Sequence, residues 1–425
     1  MTVHGPQYPV TSLLNQNEIL RTMDNCTKCG LCQTFCPVVS VTEQFPGPKV
    51  VGPQAQRFRS IEPLSDSSTA LCNGCGICTS VCPNGVAISD IITIAKAQTI
   101  DRDKSLGLAQ RILNRPEAIG RLLGRFPVVG NGTLNNVALR TIGQHVFGIG
   151  KNAPLPHISG RQFRRWYRTH KQRQGERISY FTGCSVEYFE AGTGVAAVKL
   201  LNHLGYEVTA PTNRCCSLPM LSSGEWSSAV RPARDLINDL RSNANDELAI
   251  VSTSTSCALT IRAKYKAYLE MDDYDARKVA KSVVDICHFL LIHRGEDLKK
   301  LLKPMEGLVI YHGPCQLRNQ EIGFPAIELL KMIPGLSVKV SVADCCGIGG
   351  TYGYLDGRGE ISSAIGKKLF DQVEAVGPDL IVCDSETCRW NIQKNTGIPS
   401  RHPIEVVLKS LEGKNIQEVG SPSLT

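Results

Sequence analysis

The sequence predicts a multi-domain α+β protein in which a small cysteine-rich domain precedes two copies of an α/β unit. Three observations predict this fold class: two cysteine blocks of identical spacing within residues 21–100, a basic segment without cysteine at residues 101–177, and cysteine landmarks that recur after about 130 positions within residues 178–412. A chain of 425 residues is also too long for one small core.

Eighteen cysteines are the main compositional feature, because apolar and charged contents of 42% and 20% are ordinary for a globular protein. The sequence has no apolar run of the length that a membrane-spanning helix needs, and residues 1–10 lack the pattern of a secretory signal. These features predict a cytoplasmic protein, in which cysteines rarely form disulfides and instead bind soft metals. Sixteen cysteines belong to motifs, whereas Cys287 and Cys383 do not.

Residues 1–100 are predicted to form the first domain, which begins with a loose arm at residues 1–20. Two Cys-x2-Cys-x2-Cys-x3-Cys-Pro blocks follow. This is the bacterial ferredoxin spacing, in which the fourth cysteine of each block binds the cluster of the other block, and it predicts two [4Fe–4S] clusters. The predicted ligands are Cys26, Cys29, Cys32 and Cys82 for the first cluster, and Cys72, Cys75, Cys78 and Cys36 for the second. Zinc is the alternative, which the doubled 2-2-3 spacing disfavours.

The linker between the two blocks, residues 38–71, is longer than a minimal ferredoxin needs. In this respect the first domain resembles the helical ferredoxin domains of respiratory iron–sulfur subunits. The resemblance implies a helical domain with two clusters.

Residues 101–177 are predicted to form a basic helical connector. The segment holds fifteen Lys or Arg and four Asp or Glu, so the rest of a chain of net charge +8 sums to −3. Two interpretations stay open: a surface that lies on anionic lipid headgroups, and a connector that packs on the first domain with its arginines solvated. Clustered cysteines disfavour a third, nucleic-acid binding. Six apolar residues can share one side of a helix that residues 114–116 would kink: Ile112, Leu113, Ile119, Leu122, Leu123 and Phe126.

Residues 178–412 are predicted to be an internal duplication, with units at residues 178–300 and 301–412, followed by a flexible polar tail at residues 413–425. Corresponding cysteines of the two units lie 130 or 131 positions apart at three landmarks. Strands and helices alternate, which favours parallel α/β layers, and cysteines follow the strand ends, where open α/β sheets bind ligands. The predicted strands cover residues 177–182, 206–210 and 248–253 in the first unit, and 307–312, 336–342 and 380–383 in the second.

Each unit offers four thiolates to a further metal cluster. The predicted ligands are Cys184, Cys215, Cys216 and Cys257 in the first unit, and Cys315, Cys345, Cys346 and Cys388 in the second. A structural zinc ion is the alternative in each unit. Cys383 is either a fifth ligand or a buried strand residue, and Cys287 is interpreted as a core residue. His312 either tunes a cluster through a hydrogen bond or is a satisfied core histidine.

The two units resemble the cysteine-rich CCG domains of heterodisulfide reductases and related iron–sulfur oxidoreductases. That pattern is Cys, then Cys-Cys-Gly, then Cys-x2-Cys. Here Ser217 replaces the glycine of the first unit, and Ser254 and Ser385 replace the first cysteine of each Cys-x2-Cys. Four thiolates per unit still suffice for a [4Fe–4S] cluster. The departures count against a five-thiolate noncubane cluster and against cleavage of a heterodisulfide, which is the alternative enzymatic function.

From about residue 24 to about residue 411, the chain is similar to the C subunits of anaerobic glycerol-3-phosphate dehydrogenases. The matching segments are residues 26–37, 45–49, 163–168, 345–353 and 386–390. The resemblance implies an electron-transfer subunit without catalytic residues of its own. In that family the subunit takes electrons from an FAD-dependent dehydrogenase and passes them to menaquinone at the inner face of the cell membrane. The iron–sulfur subunits of lactate and glycolate oxidases share this architecture and are the alternatives.

Overall fold

The computed structural model describes residues 14–62, 66–104 and 106–420 and confirms the predicted fold class. Helices form the first domain and the connector, whereas two parallel sheets with flanking helices form the duplicated region. None of the helices in the described part of the chain combines the length and the hydropathy of a membrane-spanning segment. Predictions for residues 1–13 and 421–425 lie outside the described part of the chain.

The first domain consists of short helices around the two cysteine blocks and one long helix. Gly30 and Gly76 adopt left-handed backbone conformations, with φ of +90° and +79°, at the start of the short helix in each block. Glycine reaches this conformation without the steric cost of a Cβ atom. The long helix buries Ile91 and Ile92 completely, so it forms the core behind the cysteine blocks. The α-helices are Gln16–Arg21, Leu31–Thr34, Ala55–Arg59, Ile77–Ser80 and Ile88–Asp103.

The connector folds into consecutive short helices, and the six apolar residues do not share one face. Leu113, Ile119 and Leu123 line a cavity that also borders the α/β units, whereas Leu122 and Phe126 are 69% and 70% exposed. The single amphipathic face is therefore wrong, because the breaks between helices turn their apolar residues to different sides. The helices are Leu108–Leu113, Pro116–Leu123, Pro127–Asn135, Val137–Phe147 and Gln162–Thr169.

Each unit of the duplication contains a four-stranded parallel sheet. The strands are β1 Glu176–Phe181, β2 Tyr206–Thr209, β3 Ile250–Ser252 and β4 Val283–Asp285 in the first unit, and β5 Gly307–Tyr311, β6 Leu336–Val340, β7 Leu380–Val382 and β8 Ser400–Arg401 in the second. The strand orders are β2-β1-β3-β4 and β6-β5-β7-β8. Sequence analysis finds the first three strands of each unit and misses the fourth. The fourth strands have only three and two residues and precede a helix, which is too short a stretch to show the alternation of apolar and polar residues that predicts a strand.

The strand order places the cysteines at one edge of each sheet. The first strand of each unit lies between the second and the third strand. The connection from the first to the second strand and the connection from the second to the third therefore run to opposite sides of the first strand. Cys184 and Cys257 follow β1 and β3, and Cys315 and Cys388 follow β5 and β7. All four therefore lie at the carboxyl ends of adjacent strands, at the switch point where open α/β sheets bind ligands.

The two units pack against each other around one core. Tyr180 of β1 and Tyr311 of β5 are completely buried members of the same apolar cluster. Between the units, buried Arg389 donates a hydrogen bond of 3.0 Å to Glu190. The remaining helices are Gly183–Tyr188, Ala191–His203, Leu218–Ser223, Trp226–Leu240, Asn243–Asp246, Thr255–Leu259, Tyr265–Leu269, Tyr274–Ser282 and Ile286–Leu301 in the first unit, and Cys315–Arg318, Pro325–Lys331, Gly359–Val376, Glu386–Thr396, Pro403–Glu412 and Ile416–Gly420 in the second.

The flexible tail predicted from residue 413 is wrong for its first part. Helix Ile416–Gly420 packs on the second unit, where Ile416 and Val419 are 2% and 3% exposed. Ile416 lies over Gly307, and a Cβ atom at Gly307 would approach the Ile416 side chain to 3.0 Å. Gly307, at the start of β5, therefore leaves space for the side chain of Ile416, an apolar residue in an otherwise mostly polar C-terminal segment.

Asp285 provides a test of the packing between the sheets. Burial, and then the neighbouring Asp384 carboxylate, raise the pKa of Asp285 to about 7. An unfolded Asp has a pKa of about 3.9, so between these values the folded chain holds a proton that the unfolded chain has lost. Stability should therefore fall as the pH rises through this window and level off above it. We expect Asp285→Asn to flatten this slope while keeping the hydrogen bonds from the backbone N–H groups of Cys287 and His288.

The measurement is urea unfolding between about pH 5 and about pH 8. The exposed Asp297 serves as the control, since Asp297→Asn makes the same replacement on the surface. Equal slopes for Asp285→Asn and the parent protein would show that the buried carboxyl does not keep its proton.

Candidate metal centres

The outer thiol group consists of Cys26, Cys29, Cys32 and Cys82. These four cysteines line one small cavity in the first domain, so the fourth cysteine of the second block joins three from the first. Burial, and then the nearby Cys26, Cys82 and Cys29, raise the pKa of Cys32 to about 11. Cys29 is exposed, which brings the outer thiol group to the protein surface.

The inner thiol group consists of Cys36, Cys72, Cys75 and Cys78. Burial, followed by the nearby Cys72 and Cys36, raises the pKa of Cys78 well above its usual value. Cys32 of the outer thiol group also contributes to this shift, so the two groups are neighbours. The structure thus brings together the two sets that the ferredoxin spacing predicts, including the exchange of the fourth cysteine.

The inner thiol group borders the second α/β unit. Burial raises the pKa of Cys75 well above its usual value, and the next largest causes are Cys345 and Cys315 of that unit. Asn319 donates a hydrogen bond of 3.2 Å to the backbone oxygen of Cys75. The Nδ2 atom of Asn73 lies 4.0 Å from the Cys345 sulfur. The sequence does not signal this contact, because it joins residues from distant parts of the chain.

The unit-1 thiol group consists of Cys184, Cys215, Cys216 and Cys257. The Cys184 and Cys215 sulfurs lie 3.6 Å apart, and those of Cys216 and Cys257 lie 3.2 Å apart. A disulfide bond measures about 2.05 Å, so these are contacts between free thiols. Ser217, where the related pattern has glycine, adopts a left-handed conformation with φ of +61° and donates its N–H to the Cys215 sulfur at 3.4 Å.

The unit-2 thiol group consists of Cys315, Cys345, Cys346 and Cys388. The Cys346 and Cys388 sulfurs are 3.1 Å apart. Burial, and then Cys388, raise the pKa of Cys315 to about 11. The N–H of Gly347 donates to the Cys345 sulfur at 3.3 Å, which matches the Ser217 contact in the first unit.

Of three further residues that sequence analysis singled out, His312 and Cys383 lie beside the unit-2 thiol group and Cys287 does not. Possible ligand atoms of His312, Cys346 and Cys388 lie within 4.8 Å of one another, and His312 Nδ1 is 3.2 Å from the Ser341 hydroxyl. Cys383 is completely buried on the chain just after β7 and contacts Cys388. Cys287 is also completely buried and belongs to the core between the units, not to a thiol group.

The two serines at the missing cysteine positions both stand immediately before a helix. The Ser254 hydroxyl accepts a hydrogen bond from the N–H of Cys257 at the start of helix Thr255–Leu259 and donates to the Glu386 carboxylate at 3.1 Å. Ser385 precedes the corresponding helix, Glu386–Thr396, and its hydroxyl lies 3.4 Å from that of Thr387, without capping the helix. Neither residue supplies a soft ligand, so each unit offers its four-thiol group and, in the second unit, the nearby Cys383.

The donor sets fit iron–sulfur clusters. Four thiols converge in each group, all eighteen cysteines are free, and sulfur is the ligand that such clusters require. Backbone N–H groups point at sulfur in three of the groups, and the one in the first domain is the Val86 N–H at 3.4 Å from Cys82. These N–H···S bonds stabilise negative charge on a cluster. The residue-by-residue ligand assignment stays a prediction.

One cavity lies between the two α/β units and is bordered by both of their thiol groups. Connector side chains line it as well, together with Lys264 and Glu386. Lys264 ends a π-helical turn, Thr260–Lys264, and donates a hydrogen bond of 3.0 Å to the Gln316 side chain. Sequence analysis assigned neither residue to a site, although Glu386 belongs to a segment that carries the family resemblance, because a single charged residue within a helical pattern does not indicate that it faces a site.

Two families match the chain. A family described as a 4Fe-4S dicluster domain matches residues 22–86. A family described as a cysteine-rich domain matches twice, at residues 178–262 and 309–393. The two matches to the second family agree with the duplication.

Several iron–sulfur and oxidoreductase subunits match over most of the chain. The C subunit of the anaerobic glycerol-3-phosphate dehydrogenase of Escherichia coli (strain K12) is 32% identical over 395 residues, which cover 91% of this chain and 98% of the relative. The probable glycolate oxidase iron-sulfur subunit of Bacillus subtilis (strain 168) is 26% identical over 405 residues, covering 88% and 90%. The B subunit of the fumarate reductase (CoM/CoB) of Methanothermobacter marburgensis is 26% identical over 381 residues, covering 87% and 67%.

Proposed function

Since the chain belongs to the family of anaerobic glycerol-3-phosphate dehydrogenase C subunits, we propose that it relays electrons from a flavoprotein dehydrogenase to a membrane quinone. It is an iron–sulfur protein with a dicluster domain and two cysteine-rich domains. Clusters bound by its thiol groups would supply one-electron transfer. We assign none of the described residues to oxidation of glycerol 3-phosphate.

One observation carries the proposal: the thiol groups follow one another from the surface to the interior. Cys29 of the outer thiol group is exposed, and Cys32 of that group neighbours Cys78 of the inner thiol group. Cys75 of the inner thiol group neighbours Cys345 and Cys315 of the second unit. The unit-2 and unit-1 thiol groups then border one cavity. This order supports an electron path that starts at the outer thiol group and ends at the cavity.

The residues around the thiol groups hold them in a dry and defined environment. Most of the thiols are buried. Burial excludes water from the sulfur atoms and strengthens their electrostatic interaction with each nearby dipole. Backbone N–H donors such as that of Gly347, and the imidazole of His312 beside Cys388, are placed to adjust reduction potentials through hydrogen bonds to sulfur. In this proposal the protein sets the distances between the clusters and their reduction potentials, whereas the partner dehydrogenase oxidises the substrate.

Electrons enter the chain at the outer thiol group in this proposal, so the dehydrogenase docks there. Phe35, between Cys32 and Cys36, is 51% exposed, and Leu31 is 42% exposed. Exposed apolar side chains beside a redox group favour contact with a partner protein. We expect Phe35→Asp to raise about tenfold the dehydrogenase concentration needed for half-maximal electron transfer, the cost of losing one strong interface residue.

Stopped-flow absorbance in the visible range measures this transfer, with dithionite reduction as the check that the variant keeps its clusters. Tyr274→Asp is the control, because Tyr274 is 67% exposed on the first α/β unit. If Phe35→Asp and Tyr274→Asp behave alike, the docking face lies elsewhere.

Peripheral contact with the inner face of the cell membrane is part of the proposal. Helix Val137–Phe147 buries none of its side chains, and Val128 and Val137 are 86% and 75% exposed. Residues 118–175 contain ten Lys or Arg and no Asp or Glu. Exposed apolar side chains within a positive segment favour anionic bilayers. Co-sedimentation with phosphatidylglycerol vesicles tests this contact, and failure to sediment at low salt contradicts it.

The decisive experiment combines the anaerobically purified chain with a flavoprotein glycerol-3-phosphate dehydrogenase and a quinone in vesicles. Glycerol 3-phosphate should bleach the visible absorbance of the chain, and added quinone should restore it with formation of quinol. A glycolate or lactate dehydrogenase in the same assay tests the alternative donors. No reduction by any of these dehydrogenases, in a chain that dithionite reduces, would overturn the proposed function.

A further inference from the structure

A groove with an excess of positive charge lies where the first α/β unit meets residues 319–320 of the second. Its basic side chains are Arg262, Lys266, Arg277 and Lys281. The volume is about 340 Å³, which is in the range of sites that bind small molecules. No cysteine borders the groove within the described part of the chain, so this volume does not hold a metal cluster bound by the thiol groups.

The acidic residue at the groove does not neutralise these cations. Asp272 lies 3.6 Å from Lys266 and 3.8 Å from Arg277, so its one negative charge is shared between two positive ones. Arg262 and Lys281 form neither a hydrogen bond nor an ion pair with any residue that the structure describes. Four basic side chains and one acidic side chain leave a formal charge of +3 at the border of the groove.

Arg262 is the cation that most favours an anionic ligand. It lies in the middle of the π-helical turn Thr260–Lys264 and is half-buried. Burial lowers the pKa of its guanidinium, and the more distant Asp285 carboxylate offsets only part of this effect. A half-buried cation that no carboxylate contacts is costly, and an anion bound beside it recovers part of that cost.

Gln320 adds a hydrogen-bond acceptor to the groove. Its Nε2 donates to the backbone oxygen of Thr255 at 3.0 Å and to the Thr255 hydroxyl at 2.7 Å, which fixes the orientation of the amide. The Gln320 Oε1 atom is buried and accepts no hydrogen bond from the described residues. A ligand hydroxyl would satisfy it. Ile261 and Met271, which are 2% and 4% exposed, give the groove an apolar floor.

We propose that this groove binds a small organic dianion that carries a hydroxyl group, either a hydroxylated dicarboxylate or a phosphate ester with a free hydroxyl. The guanidinium of Arg262 pairs with an anionic group of the ligand, because its planar fork matches carboxylate and phosphate oxygens. The hydroxyl donates to Gln320 Oε1, and the carbon skeleton lies on the apolar floor. The site is separate from the thiol groups, so the proposal does not depend on the electron path.

Isothermal titration calorimetry of the anaerobic holoprotein at low salt tests the ligand class with two pairs of probes. Malate and succinate differ by one hydroxyl, as do 3-hydroxypropyl phosphate and propyl phosphate. In the pair that fits the groove, the hydroxylated probe should bind at least tenfold more tightly, because the other probe leaves Gln320 Oε1 unpaired. The pair that binds more tightly distinguishes a carboxylate site from a phosphate site. Equal affinities within both pairs would overturn the assignment of the hydroxyl.

Arg262→Met should weaken binding of the tighter probe at least tenfold. Arg231→Met is the matched control, because Arg231 is exposed on helix Trp226–Leu240 and does not border the groove. Without ligand, Arg262→Met should melt at a temperature no lower than the parent protein, since the change removes a half-buried cation, and this result excludes misfolding as the cause of lost binding. Absence of binding by all four probes, or equal affinities in the two variants, would overturn the proposal.

Discussion

Cys75→Ala should stop electron transfer from the dehydrogenase to quinone and leave reduction of the flavin intact. Cys75 belongs to the inner thiol group and lies beside the second α/β unit, because Cys345 and Cys315 of that unit add to the effect of burial in raising its pKa. Loss of this thiol removes a predicted ligand at the link between the first domain and that unit. Iron content should fall by roughly four atoms per chain.

The measurement combines iron analysis, visible absorbance and quinol formation in the anaerobic assay. Cys287→Ala is the matched control, because Cys287 is also buried but lies in the core between the units. It should keep its iron and its electron transfer, with a modest loss of stability from the small void. Normal quinol formation by Cys75→Ala would disprove the electron path drawn through the inner thiol group.

Gly347→Ala should prevent stable folding of the second unit. Gly347 follows the cysteine pair with φ of +92°, and a Cβ atom there would lie 1.9 Å from the backbone oxygen of Ser362 and 3.0 Å from the N–H nitrogen of Gly366. Both contacts are to the backbone of helix Gly359–Val376, which cannot turn away as a side chain does. We expect a loss of about 4 kcal/mol or more in the free energy of unfolding, in the range of the most damaging single substitutions.

Gly350→Ala separates the steric clash from backbone strain. Gly350 also has positive φ, +63°, but a Cβ atom there would meet nothing within 4 Å. This variant should lose only about 1–2 kcal/mol, the cost of a left-handed conformation for alanine. Chemical denaturation followed by circular dichroism compares the two. Equal losses would mean that helix Gly359–Val376 does not pack against the cysteine pair as described.

The cysteine spacing predicts which cysteines belong to each of the four thiol groups. A 2-2-3 block is a local pattern that dictates a tight loop of thiols, and the recurrence after 130 or 131 residues identifies two copies of one unit. The structure places each predicted group of four together. Strands β4 and β8 were missed because their two or three residues pair with distant strands and carry little pattern of their own.

The sequence by itself determined the fold class, the duplication and which residues can act as soft ligands, because these depend on spacing within short segments. Tertiary structure alone decided how the groups are ordered. Asn73 meets Cys345 across 272 positions, and Ile119 and Leu123 of the connector face the cavity while Leu122 faces outward. Such proximity results from how whole domains pack. No local pattern predicts it, because a contact between two distant segments produces no hydrophobic periodicity in the sequence of either segment.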